Sequence, residues 1–89
     1  MNRSDFEADL LREGYRIFYG GLRASEINPD HRHGWDARIM VIAGEITITR
    51  DGKAETFREG ESCMVPANDP HAEHSGPQGV AYIVGRRAV

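Results

Sequence analysis

The chain has 89 residues, with 11 lysines and arginines against 14 acidic residues and a formal charge of -3. That length supports one small core. The charges are interspersed, which excludes a basic stripe for nucleic acid and a polybasic membrane anchor.

Ser4-Asp5-Phe6-Glu7 has the form of a capping box, and Phe6, Leu10 and Leu11 fall on one helical face. The spacing predicts a short amphipathic helix over residues 5–13, within an N-terminal segment 1–14, ended by Gly14 and covering a barrel end or a sheet edge. No basic region followed by an apolar run opens the chain, so no signal peptide is expected, and no apolar run is long enough for a bilayer. From Tyr15 the period changes to that of strands. Tyr15–Tyr19 reads as a strand, Gly20-Gly21 as a turn or bulge, Leu22–Ile27 as a second extended piece and Asn28-Pro29-Asp30 as a turn. A strand from His31 to Ile42 follows, then a turn at Ala43-Gly44-Glu45 and a strand over Ile46–Arg50. Asp51-Gly52 is a hairpin signal. Ala54–Phe57 returns, Glu59-Gly60-Glu61 turns, and Cys63–Val65 forms a strand closed by Pro66. Asn68-Asp69-Pro70 is a turn, His71 opens a strand, residues 76–79 form a loop, and Val80–Val84 is the last strand. About eight short strands over residues 15–89 favour an all-β fold, a small antiparallel barrel or jelly roll.

Cys63 is the only cysteine, so no intrachain disulfide can form and a reducing, cytoplasmic setting is expected. In Ser62-Cys63-Met64-Val65 it reads as a buried filler rather than a nucleophile or a soft ligand. Arg86-Arg87, the adjacent basic pair, reads as a solvated tail. No Ser-His-Asp or Cys-His spacing and no phosphate-cradling glycine loop is present.

The chemistry concentrates in histidine. His31-Arg32-His33 and Pro70-His71-Ala72-Glu73-His74 supply all four histidines. On a strand, His-x-His points both imidazoles to one face, and a third imidazole from a later strand completes a three-nitrogen metal site. Without a metal, the same residues would form a polar pocket floor.

These residues resemble the cupin superfamily in its small single-domain form. The family's first motif is His-x-His, three or four residues, glutamate, six residues, glycine. His31, His33 and Gly44 match, while the glutamate position falls on Ala37, or on Arg38 under the longer spacing. In the second motif Gly60, Pro66 and His71 match, Asn68 stands for a glycine and Ser75 for an asparagine. The resemblance covers residues 15–85. It implies a cupin barrel, pairing of two copies, and a metal (zinc, iron, manganese, nickel or copper) held by His31, His33 and His71.

The absent motif glutamate leaves three candidates for its place: Glu73, Asp36 and His74. Strand parity puts Glu73 on the face of His71 and His74 on the other, and it turns Asp36 away from His31 and His33. Glu73 is therefore the first candidate for a fourth ligand, an acid–base group or a carboxylate that orients an imidazole. Asp36 alternatively pairs with Arg38. Trp35 stands at a pocket mouth or a subunit contact, Tyr15 and Tyr82 line the core, and Arg38 is either solvated or an anion clamp. Met40 and Ile42 point outward, where a second copy would cover them. The expected function is binding or transformation of a small polar molecule at a three-histidine site. The alternative is a non-catalytic module that binds a small ligand or regulates through partners.

Overall fold

The structure is a computed structural model and describes residues 2–89. The first element is helix α1 (Arg3–Arg12), capped by the Asn2 side chain, which accepts the Asp5 backbone N–H at 2.9 Å. Ser4 therefore lies inside the helix. Asn2 serves as well as serine at that position, and starting there gains about half a turn. Phe6 and Leu10 are fully buried, but Leu11 is 66% exposed. The buried stripe follows the four-residue step, and Leu11 lies about 100° round from Leu10.

Six strands follow: β1 (Arg16–Leu22), β2 (Ile27–His31), β3 (Trp35–Arg50), β4 (Lys53–Arg58), β5 (Ser62–Val65) and β6 (His71–Ala88). All pairings are antiparallel. The count is six because β3 and β6 are each one long strand where the sequence reads as two. Gly44 pairs with Val80 and stays in the ladder in place of the expected turn, whereas residues 76–79 of β6 have no partner in β3 and bulge out of the ladder at the position of the expected loop. Gly20-Gly21 likewise continues β1 against Tyr82 and Ala81, and Asn28-Pro29-Asp30 lies within β2. Asp51 (φ 51°) and Gly52 (φ 74°) both adopt left-handed backbone, as the β3–β4 hairpin demands.

The long strands build two layers. The N-terminal half of β3 and the C-terminal half of β6 lie between β1 and β5; the other halves lie between β2 and β4. The hydrogen-bonded sheet does not close, and the arrangement is that of a jelly roll. At the corner between the layers, Gly44 has φ 76°, and a Cβ there would stand 2.1 Å from the Gly79 carbonyl oxygen. Only glycine permits both that conformation and that approach.

The corner also resets strand parity. Ala37, Ile39 and Val41 face the interior before it, and Ile46 and Ile48 after it; with Val65, Val80 and Val84 they form the inner core. Met40 and Ile83 point the other way and pack with Phe6, Leu10 and Tyr15 beneath α1, with Ile42 against them. The helix thus covers a sheet face rather than an end or an edge. It buries Met40 within the chain, leaving it unavailable for a partner copy, and covers Ile42 in part. Gly85 makes room for it, since a Cβ there would come within 2.6 Å of Leu10. Burying Phe6 and Leu10 contributes about 2 kcal/mol each.

Candidate functional site

The three motif histidines meet at the β1–β2 side of the sandwich. His31 ends β2, His33 lies in the link to β3, and His71 opens β6 opposite His31. The pair therefore does not share a strand face. It is brought together by the chain bending after β2, and the His33 carbonyl is tied to the Asn68 backbone N–H at 2.7 Å. Asn68 has φ 63°, the left-handed conformation implied by its place in the glycine position of the second motif.

One ring nitrogen from each of His31, His33 and His71 lies within 4.8 Å of the others. His31 Nδ1 is 2.7 Å from the Pro29 carbonyl oxygen, and His71 Nδ1 is 2.9 Å from that of Asp69. A carbonyl only accepts, so both Nδ1 atoms carry a proton, and in the neutral rings both Nε2 atoms present lone pairs. No buried side-chain nitrogen or oxygen among the described residues lacks a hydrogen-bond partner. The unbonded Nε2 atoms are thus open to the cavity, as metal ligation requires. His33 stacks on Trp35 with ring centroids 4.7 Å apart. Burial, then the neighbouring His31 and His71, hold its pKa below the ordinary 6.5 and keep the imidazole neutral.

Glu73 is buried beside this cluster. Its Oε1 accepts from Asn28 Nδ2 at 2.8 Å, and its Oε2 stands 3.9 Å from His71 Nε2. His74 is exposed on the opposite face. Asp36 accepts the Ala67 N–H and pairs with Arg87 at 3.4 Å. Arg38 leaves Asp36 for Glu13 at 2.9 Å and lies over Phe6, outside the cavity. Ala37, at the motif glutamate position, is buried and offers no ligand atom. Ser75 ties down the β1–β2 turn, accepting the Glu26 N–H and donating to the Arg23 carbonyl. Cys63 is half-buried against the inner core, outside the histidine set, and burial pushes its thiol up to about 12.

The histidines open into a cavity of about 200 Å³ walled by Phe18, Trp35, Ile39, Tyr82, Val84 and Arg86, with Asn28 and Glu73 at its floor. Burial, followed by the Glu73 charge, raises the Tyr82 pKa, so its hydroxyl stays protonated. Among the cavity residues that escape the sequence reading are Asn28 and Arg86. Asn28 is disguised by its turn-like Asn-Pro-Asp setting, and Arg86 by its adjacent Arg87. The signal for Arg86 is the alternation Tyr82, Val84, Arg86, read with the parity reset at Gly79.

A six-stranded jelly roll with three clustered imidazoles at one mouth defines the class as a small β-barrel domain whose histidine set is compatible with metal binding. A family model described as Cupin domain matches residues 21–83, and the chain belongs to the cupin-domain family. Solved structures share the fold. One is a protein of unknown function from Rhizobium leguminosarum bv. viciae, with 18% identity, a TM-score of 0.79, and coverage of 86% of this chain and 73% of that one. A cupin superfamily protein from Desulfitobacterium hafniense has 20% identity, a TM-score of 0.74, and coverage of 84% and 68%. The Cupin_2 domain of an XRE family transcriptional regulator from Enterobacter cloacae has 20% identity, a TM-score of 0.70, and coverage of 84% and 82%. No curated protein matches the chain in sequence.

Proposed function

We propose that the chain binds one divalent transition metal (zinc, iron, manganese, nickel or copper) through His31, His33 and His71, and that it holds or transforms a small polar molecule beside it. The observation that carries this reading is the set of three ring nitrogens within 4.8 Å, two of them aimed by backbone carbonyls on the far nitrogen. When bound, the ion supplies a Lewis acid for a carbonyl or enolate oxygen, or a site for dioxygen. The Pro29 and Asp69 carbonyls fix the tautomers. Glu73 serves as fourth ligand or as proton acceptor, since two ligand bonds of about 2.1 Å can span its distance from His71 Nε2. Asn28 holds the other carboxylate oxygen. A homodimer joined along an open sheet edge, in a reducing compartment, belongs to the same proposal.

Elemental analysis of the purified, tag-free protein tests the reading beside a His71→Ala variant. Near-stoichiometric metal that disappears in the variant supports it. Negligible metal after reconstitution with each of the five ions sinks it.

Two observations favour a non-catalytic ligand-binding or regulatory module as the second reading. Ala37 stands where the motif has its glutamate, and a similar fold serves as the cupin domain of a transcriptional regulator. This reading requires the metal-stripped protein to keep its ligand.

A further inference from the structure

Among the described residues six arginines pair with carboxylates: Arg3 with Glu7, Arg12 with Asp9, Arg38 with Glu13, Arg50 with Asp69, Arg58 with Glu45 and Arg87 with Asp36. Of the four that form no ion pair (Arg16, Arg23, Arg32 and Arg86), only Arg86 borders the histidine cavity. Arg86 forms no ion pair and no side-chain hydrogen bond among the described residues. Its guanidinium carbon lies 4.7 Å from the Phe18 ring centroid and 4.9 Å from that of Trp35. It also lines the histidine cavity, and its charge is felt at both His33 and Tyr82.

Two aromatic faces hold a guanidinium by cation–π attraction and leave its N–H edge free. That edge presents parallel donors matched to a planar two-oxygen group. The walls beside it, Phe18, Ile39 and Val84, are apolar. They suit a short carbon chain better than a second polar head. A divalent ion on the three histidines would strengthen the preference for an anion, whereas the Glu73 carboxylate opposes it. The three imidazoles are neutral ligands, so a divalent ion there keeps its charge unless Glu73 offsets part of it.

We propose that the cavity takes a small carboxylate, with Arg86 as the residue that recognises its carboxyl group. The proposal rests on this cavity being the ligand site, and it is independent of whether a metal is present. A ligand so placed has its carboxyl group at the aromatic mouth and its carbon chain directed toward the histidines.

The chain's single tryptophan, Trp35, borders Arg86 and provides the signal. Propionate is titrated into metal-stripped and zinc-loaded protein while Trp35 fluorescence is followed, with propionamide and inorganic phosphate as comparison probes. The expected result is a saturable change with propionate, at least tenfold weaker with propionamide and with phosphate. Arg86→Gln is expected to weaken propionate at least tenfold and Arg86→Lys less, with zinc stoichiometry unchanged in both. Arg86 is exposed, so its variants are expected to keep the wild-type melting curve. Equal binding of propionate and propionamide overturns the proposal, as do equal binding of propionate and phosphate, no loss in Arg86→Gln, and no propionate response in the wild type. Failure of zinc to bind sinks only the metal reading, because the metal-stripped arm still reads the carboxylate.

Discussion

Between β4 and β5, at the other pair of sheet edges, the sandwich opens into a second cavity of about 360 Å³, larger than the histidine cavity of about 200 Å³. Its wall includes Arg50, Asp69, Cys63 and Met64. Here the arginine is already satisfied. Arg50 donates to Asp69 at 3.1 Å and to the Met64 carbonyl at 3.2 Å. In the smaller cavity, two imidazoles are fixed through one nitrogen and keep the other unbonded, and Arg86 has no anion. Space alone therefore does not mark a site. Directed groups with unused bonding capacity do.

The contrast can be broken by experiment. Saturating zinc is expected to raise the melting temperature of the wild type and of Arg50→Ala equally, and to leave His31→Ala unmoved. Ligand at about 100 times its Kd adds about 2.7 kcal/mol of stability. A full zinc shift in His31→Ala would erase the distinction. Next in size, Glu73→Gln is expected to weaken metal binding roughly 10- to 100-fold in chelator competition, the usual cost of losing a group that supports or joins a ligand set. Unchanged affinity would remove Glu73 from the site.

Acid sharpens the comparison further. The folded pKa of His33 lies below the ordinary 6.5, so the unfolded chain takes up that proton first. Its contribution to stability is intact above that value and falls as the pH drops through it. Urea unfolding of the metal-free protein at pH 8 and at pH 5.5 is expected to show the loss, with a smaller loss in His33→Gln. The smallest effect belongs to the larger cavity. With its thiol pKa at about 12, Cys63 at pH 8 holds about one thiolate in ten thousand. Iodoacetamide is expected to label it readily only after denaturation; rapid labelling of the folded chain would contradict the raised thiol pKa.

Much of this was legible in the residues. The turn at Asp51-Gly52 follows from local backbone preference, and the burial of His71 and Glu73 with His74 exposed follows from alternation on an uninterrupted stretch. Local chemistry misleads where tertiary pairing overrides it. Gly44 looks like a turn residue, yet its pairing with Val80 keeps β3 running through the corner, while β6 bulges out over residues 76–79. Arg86 is lost to the same cause. Counting by twos from His71 turns it outward, and the irregularity at the corner turns it back. Arg38 goes astray because its true partner, Glu13, lies at the end of a helix whose docking surface the sequence does not reveal.

The long pairing of β3 with β6 also sets an order of assembly. It runs from Thr49 against Ala72 to Trp35 against Ala88, enclosing β4 and β5 in the intervening chain. The β3–β4 hairpin is local and can form early, whereas joining β6 must close a long loop, a step that places such topologies in the millisecond-to-second range. His31 and His71 become neighbours only once β2 lies against β6. A metal would then meet a finished site rather than a nucleus. Zinc added to refolding protein is expected to leave the folding rate unchanged and to slow unfolding, so that the ion acts as a latch on the completed barrel.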